Sequence, residues 1–155
     1  LMWSRYSDSH KGVILEFQPQ DDVDFWWASQ PVRYQDSPPM LATKEKWIKS
    51  ITGQQPLDTS DWRLYEPFVL TKTTAWEYQQ EWRVVSFMGK DESGLYSDYS
   101  FDPRSLRSVY LGCEVERDDE EDIASLLKCD LAHVAMWRGS RSEHQERVDF
   151  HRVAR

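Results

Sequence analysis

Apolar residues in this chain come in short bursts whose spacing changes from one segment to the next. Gly12 to Phe17, GVILEF, is a continuous apolar run with Gln-Pro-Gln-Asp-Asp behind it, and it predicts a buried strand. Phe25 to Tyr34, FWWASQPVRY, predicts strand at its end, with Val32 and Tyr34 on one face and Arg33 on the other. QDSPP then breaks it. In Met40 to Ile51 the apolar positions Met40, Trp47, Ile48 and Ile51 follow helical spacing, with lysines on the other side and Gly53 as the stop. DTSDWRLYEPFVLTK offers Thr59 or Ser60 as an N-cap ahead of an apolar stripe through Trp62, Leu64, Tyr65, Phe68 and Val69. Pro67 falls inside that stripe, so either the helix kinks or two short pieces meet.

EWRVVSF, from Glu81 to Phe87, is strand by composition and alternation. KDESG turns the chain, LYSDYSFDPRS reads as irregular, and SVYLG as a short strand. ERDDEEDIASLLKC predicts a helix whose acids crowd the first turns, where the macrodipole favours them. HVAMW and RVDFHRVA predict two closing strands, the latter alternating. The resulting order, β…ααβ…βαββ, does not alternate as a doubly wound sheet does. It predicts an α+β fold with a mixed or antiparallel sheet and a few packed helices. At 155 residues the expectation is a single domain, 1–155.

Composition sharpens this picture. Aromatics make up 14% of the chain, eight of them tryptophan, which predicts a ring-rich core with enough left over for a stacking pocket. A net charge of −8 disfavours any sequence-independent grip on nucleic acid, while leaving room for one local basic pocket. Cys113 and Cys129 are too few for a disulfide scaffold or a cysteine-based zinc site. No apolar run approaches the ~18 residues of a membrane span, and LMWSRYSDSHKG lacks the apolar segment of a signal peptide. A cytoplasmic location without membrane contact is therefore expected. The chain opens on Leu-Met-Trp and runs at once towards a strand, where a terminus is usually polar. This predicts a domain truncated at its N-terminus.

The chemistry concentrates in two places. If the strand around Glu81 begins early enough, Gln79, Glu81, Arg83 and Val85 share one face, and Trp82, Val84 and Ser86 anchor the other on the core. A neighbouring guanidinium keeps Glu81 ionised. Held in an aromatic cleft, such a carboxylate can stabilise a developing cation or bind a sugar hydroxyl; a structural ion pair on a half-exposed sheet accounts for the same residues. The segment Met2 to Gly12 packs Trp3, Ser4, Arg5, Tyr6, His10 and Lys11 ahead of a strand, as a ligand rim would. As a histidine, His10 could act in proton transfer, and Lys11 or Arg5 could hold a phosphate. The other reading is a loop or helical turn whose Trp3 and Tyr6 dock into the core. His133, His144 and His151 lack metal-ligand spacing. The acidic run from Glu114 to Asp122 has no calcium-loop pattern, and dinucleotide, P-loop and nucleophile-elbow signatures do not occur.

LMWSRYSDSHKGVILEF and TKTTAWEYQQEWRVV, followed by SVYLG, resemble the bacterial domain-of-unknown-function 2971 family across nearly the whole chain. In that family a Met-Trp-Ser-x-Tyr…His-Lys-Gly block precedes a strand, and a Trp-x-Tyr-Glu-x-Glu-Trp-Arg block follows helices. Gln79 stands where the second block has its first glutamate, while Glu81, Trp82 and Arg83 match. The family's Tyr-rich N-terminal segment and Leu-Asn-Asp-Pro stretch have no counterpart here, in line with truncation.

The pair Gln79-x-Glu81 also resembles the Gln/Glu-x-Glu motif of ADP-ribosyltransferases. There the second acid binds the nicotinamide ribose and stabilises an oxocarbenium-like transition state, and the first residue orients the acceptor. That likeness implies a split-sheet fold lacking its N-terminal part, NAD as substrate, Glu81 as catalytic acid and Gln79 as its acceptor-side neighbour. It further implies Trp3, Ser4, Tyr6, His10, Lys11 and Arg83 as substrate-binding residues, in an ADP-ribosyltransferase or NAD glycohydrolase of a toxin or defence system. The competing expectation is a non-catalytic sensing or protein-interaction module in which Glu81 and Arg83 hold the sheet. In either case a protein partner or a second copy could complete the domain.

Overall fold

The computed structural model describes residues 2–20, 24–58, 60–85, 100–142 and 147–154. In chain order, helix α1 (Met2–Tyr6) and strand β1 (Val13–Phe17) are followed by strands β2 (Gln30–Pro31) and β3 (Arg33–Tyr34). Helices α2 (Lys44–Ile51) and α3 (Glu66–Val69) come next, then strands β4 (Thr71–Lys72) and β5 (Trp82–Arg83). Strand β6 (Leu106–Leu111), helix α4 (Arg117–Asp130) and strands β7 (Ala135–Arg141) and β8 (Val148–Arg152) close the chain. This is the expected α+β mixture, and its contacts gather into two units, Leu1–Trp27 with Lys90–Arg155, and Ala28–Gly89.

The first unit is a four-stranded sheet in the order β1-β6-β7-β8. Its outer pairs are antiparallel and its central pair, β6 with β7, is parallel. Two parallel neighbours need a crossover, and α4 supplies it. Glu116 precedes the helix, and Asp118, Asp119 and Glu120 occupy its first turn beside the unpaired N–H groups. Leu106, Val109, Leu111, Val115, Leu127, Val134 and Met136 form the core. That core is aliphatic, contrary to the ring-rich interior that composition predicts. The rings sit half-buried on the sheet instead, Tyr110 stacking on Trp137 at 6.0 Å and meeting the edge of Phe150 at 5.2 Å.

GVILEF is a strand, as expected, but not a buried one: Val13, Ile14 and Leu15 are 41%, 43% and 48% exposed. Its place at the end of the sheet order leaves it one neighbouring strand among the described residues. Between β6 and α4 the chain passes so close to the loop before β1 that a Cβ on Gly112 would lie 1.9 Å from the His10 carbonyl oxygen. Only glycine fits there.

The second unit is built from two-residue strands, β2 antiparallel to β5 and β3 parallel to β4. Val32 and Leu70 are its buried hydrophobic residues among those described. Val32 and Tyr34 turn inwards while Arg33 is exposed, as alternation predicts. Helix α2 forms with Thr43 capping Lys46 N and Gly53 in the left-handed region beyond its end (φ 73°). It starts after Met40, and its Trp47, Ile48 and Ile51 stay exposed. The predicted helix around Pro67 resolves into two pieces, a 3₁₀ turn at Trp62–Leu64 and α3, with Pro67 in the first turn of α3. Asp61 accepts from Arg63 N at the start of the turn, so it plays the capping part expected of Thr59 or Ser60; Thr59 lies outside the described residues.

Among its described residues, 81–85, the strand expected from Glu81 to Phe87 is paired at Trp82 and Arg83. Thr74–Gln79 is a 3₁₀ helix, and Gln80 in the left-handed region (φ 47°) turns the chain before Glu81. Ser86, Phe87, the KDESG turn and the LYSDY part of the Tyr-rich segment lie outside the described residues, as does His144. Among the described residues, no helix is long and apolar enough to cross a membrane.

Candidate functional site

In the second unit, β4 and β5 and the 3₁₀ turn between them converge on one carboxylate. Glu81 is held first by its backbone: its N–H donates to the Tyr34 hydroxyl (2.8 Å) and its carbonyl accepts from Val32 N (2.9 Å). Its side chain then takes three charged donors. Oε1 accepts from Arg83 Nε at 2.5 Å, and Oε2 from Arg83 Nη2 and Lys72 Nζ, each at 3.1 Å. Arg83 also donates through Nη1 to the Val69 carbonyl, which ties β5 to the end of α3. Lys72 donates to Gln79 Oε1 at 2.5 Å and lies 4.9 Å from the centre of the Trp76 ring.

The Arg83 hydrogen bonds hold the Glu81 carboxyl below the usual carboxylate range, with Lys72 adding to the effect and partial burial opposing it. The same bond pushes Arg83 up. Glu81 is thus ionised, and its side chain keeps 28% of its surface in contact with solvent. Gln79, Glu81 and Arg83 do gather, but not by strand alternation, because Gln79 reaches the cluster from a 3₁₀ turn through Lys72. The faces are also reversed: Arg83 is half-buried, and Trp82, expected to anchor the strand on the core, is 64% exposed.

Beside this cluster lies a hollow of about 380 Å³ whose walls include Asp36, Pro38, Pro39, Lys72 and Trp76. Glu81 and Gln79 are not among its lining residues, so the cluster borders the hollow only through Lys72. Lys72 is the participant that the sequence reading missed. Its role depends on β4 pairing with β3, which sets Lys72 opposite Tyr34, and no local pattern announces that pairing.

The remaining candidate residues belong to the first unit. Trp3 on α1 stacks on His10 with ring centres 6.3 Å apart and leans on Phe150 at 5.8 Å. It therefore packs within its unit, whereas Ser4, Tyr6 and Lys11 are exposed. The loop carrying His10 is strained, with Asp8, Ser9 and His10 all in the left-handed region (φ 43°, 55° and 74°). Among the bonds that hold it, His10 N and Ser7 N donate to the Trp3 carbonyl, Gly12 N to that of Ser7, Lys11 N to that of Asp8, and Glu114 N to that of His10. His10 Nδ1 is buried and has no hydrogen-bond partner among the described residues. On the same sheet, the Tyr110 hydroxyl donates to Glu16 Oε2 at 2.8 Å. That bond lowers the Glu16 carboxyl and raises the Tyr110 phenol, with Ser108 also bonding to Glu16. Among the described residues no group of three His, Cys, Asp or Glu side chains is placed to hold a metal ion.

Residues 2–84 match a family described as "Protein of unknown function (DUF2971)". The match takes in both sequence blocks and stops before SVYLG and the helix after it, short of the span the resemblance suggested. No curated protein and no solved structure matches the chain. The likeness to ADP-ribosyltransferases accordingly rests on Gln79 and Glu81 alone.

Proposed function

The chain belongs to the DUF2971 family, and on that footing we propose that it is a non-catalytic protein-interaction module in which Glu81 is a structural anchor. The observation that supports this most is the saturation of the Glu81 carboxylate. Both of its oxygens accept charged donors, and the adjoining hollow opens past Lys72 rather than onto Glu81. A carboxylate that must bind a ribose hydroxyl and a developing cation needs an oxygen turned to the substrate. This one is turned to Arg83 and Lys72. The clamp also has structural work to do, since it joins β5, β4 and the end of α3 in a unit whose strands are two residues long. The same unit carries Trp47, Ile48 and Ile51 exposed on α2, and apolar side chains gathered on one exposed helix suit a partner's apolar surface.

Replacing Glu81 tests this directly. Glu81→Ala leaves two cations without their shared anion, and a loss of about 1 kcal/mol or more is expected. NAD should then give no thermal shift and no nicotinamide release with the wild-type chain. Release of nicotinamide by the wild type would overturn the reading.

A second reading, NAD-dependent ADP-ribosyl transfer or NAD hydrolysis in a bacterial toxin or defence system, draws on one specific feature. Gln79 Oε1 and Glu81 Oε2 meet at Lys72 Nζ, beside a hollow walled by Trp76. In that case a bound dinucleotide draws Lys72 towards its phosphates and frees Glu81 Oε2 for the ribose. Glu81→Gln would abolish NAD turnover while moving the melting temperature by only a few degrees, the reverse of the outcome expected for an anchor.

A further inference from the structure

We infer that the chain associates with a second copy of itself, helix α2 of one protomer seating in the hollow beside α4 of its partner. The inference rests on the interaction-module reading and names the partner. One surface is on the second unit. Helix α2 reads KEKWIKSI, and 3.6 residues per turn place Trp47, Ile48 and Ile51 on one side. They are 44%, 51% and 80% exposed. Its other ionisable residues are Lys44, Lys46 and Lys49 against a single Glu45, which makes it a basic amphipathic helix. Thr43 and Gly53 finish its two ends, so it does not have to fold on docking, and the ordering cost of binding is reduced.

The other surface is on the first unit. A hollow of about 330 Å³ runs along α4, floored by Ala124, Met136 and Val153 and rimmed by Glu120 and Glu121. Arg117 and Lys128 also stand on the rim, and Glu120 and Glu121 pair with Arg138 and Arg117. The helix as a whole still carries six acids, Asp118, Asp119, Glu120, Glu121, Asp122 and Asp130, against those two bases. An apolar floor on an acidic helix complements an apolar stripe on a lysine-bearing one, the arrangement in which a helix lies in a groove. Opposite charge steers the encounter and sets its orientation. The two surfaces are unlike, so the contact is heterologous and each protomer offers both halves.

The test uses the whole chain in sedimentation velocity over a range of concentrations. Wild type should show an average mass that rises above the monomer with concentration and passes beyond the dimer, because each protomer keeps a free half after the first contact. It should rise less at 1 M salt, where the Debye length shrinks to about 3 Å. Ile51→Asp in α2 and Ala124→Arg in the hollow should each stay monomeric with unchanged circular dichroism. Their equimolar mixture should form a dimer and stop there, because one supplies the hollow, the other the helix, and no further working half remains. Should Ala124→Arg fail to fold, Glu121→Lys on the exposed rim takes its place and should weaken association at least several-fold. A monomeric wild type, an Ile51→Asp variant that still dimerises, or a mixture of folded variants that stays monomeric each overturns the inference. Nicotinamide release by wild type would sink the interaction-module reading instead, whatever the mass, so the two failures are told apart.

Discussion

Lys72 Nζ and Glu81 Oε2 meet at 3.1 Å across nine residues of sequence, and that contact brings together β4, the 3₁₀ turn ending at Gln79 and β5. Arg83 reaches the same carboxylate from two residues away. The two cations are not equivalent. Arg83 presents a planar fork to both oxygens and a third N–H to the Val69 carbonyl, whereas Lys72 contributes a single bond to Glu81 and one to Gln79.

Arg83→Met should therefore cost more stability than Lys72→Met, by about 1 kcal/mol, because it also strips the donor from a backbone carbonyl. Urea melts of the two variants and of Glu81→Gln with each would measure the couplings. An Arg83–Glu81 coupling no larger than that of Lys72–Glu81 would show that the fork geometry is not what holds the clamp.

Acid should loosen this unit in a defined window. The Glu81 carboxyl titrates below its ordinary value in the fold, so between the two values the unfolded chain binds the extra proton. Its contribution is thus fully present above the ordinary, unfolded-chain value of 4.5 and is lost as pH falls through the folded value. Denaturant midpoints measured from pH 6 down should decline below about pH 4.5, and the Glu81→Gln variant should decline less. Equal slopes in both proteins would place the acid sensitivity elsewhere, Glu16 being the next carboxyl lowered by hydrogen bonds.

At Gly112 the added methyl of alanine meets the His10 carbonyl at 1.9 Å, backbone against backbone, with Gly12 O at 3.1 Å on another side. Neither group can swing away as a side-chain tip would. Gly112→Ala is expected to destabilise by about 1–3 kcal/mol, as overpacking does, and to disturb the stack of Trp3 on His10. A thermal melt together with tryptophan fluorescence reads both effects. Wild-type values for the two would mean that the loop of Asp8, Ser9 and His10 shifts freely.

Local pattern specifies an element best where the tertiary surroundings ask for the same thing. Helix α4 has acids in its first turn and apolar residues at helical spacing, and β6 and β8 fall where SVYLG and RVDFHRVA place strands. Of HVAMW, by contrast, only Ala135, Met136 and Trp137 belong to β7, which runs on to Arg141. Arg83 could be named as the partner of Glu81 because the two lie two residues apart on an extended chain, within reach whatever surrounds them. Within residues 81–85 the expected strand shortens to Trp82 and Arg83, and β-branched composition says nothing of Gln80, whose left-handed backbone ends the 3₁₀ turn just before it.

Spacing and short-range chemistry are enough to specify an α+β chain with an ionised, arginine-held Glu81, and the blocks around Trp3 and Trp82 carry the likeness to the DUF2971 family. Only the tertiary structure decided that Lys72 closes the clamp, that the hollow opens past Lys72 and not onto Glu81, and that Trp82 and the α2 stripe face outwards. Those outcomes depend on which strands pair and in what register, and pairing between distant segments is set by how the whole chain packs, not by any residue's neighbours.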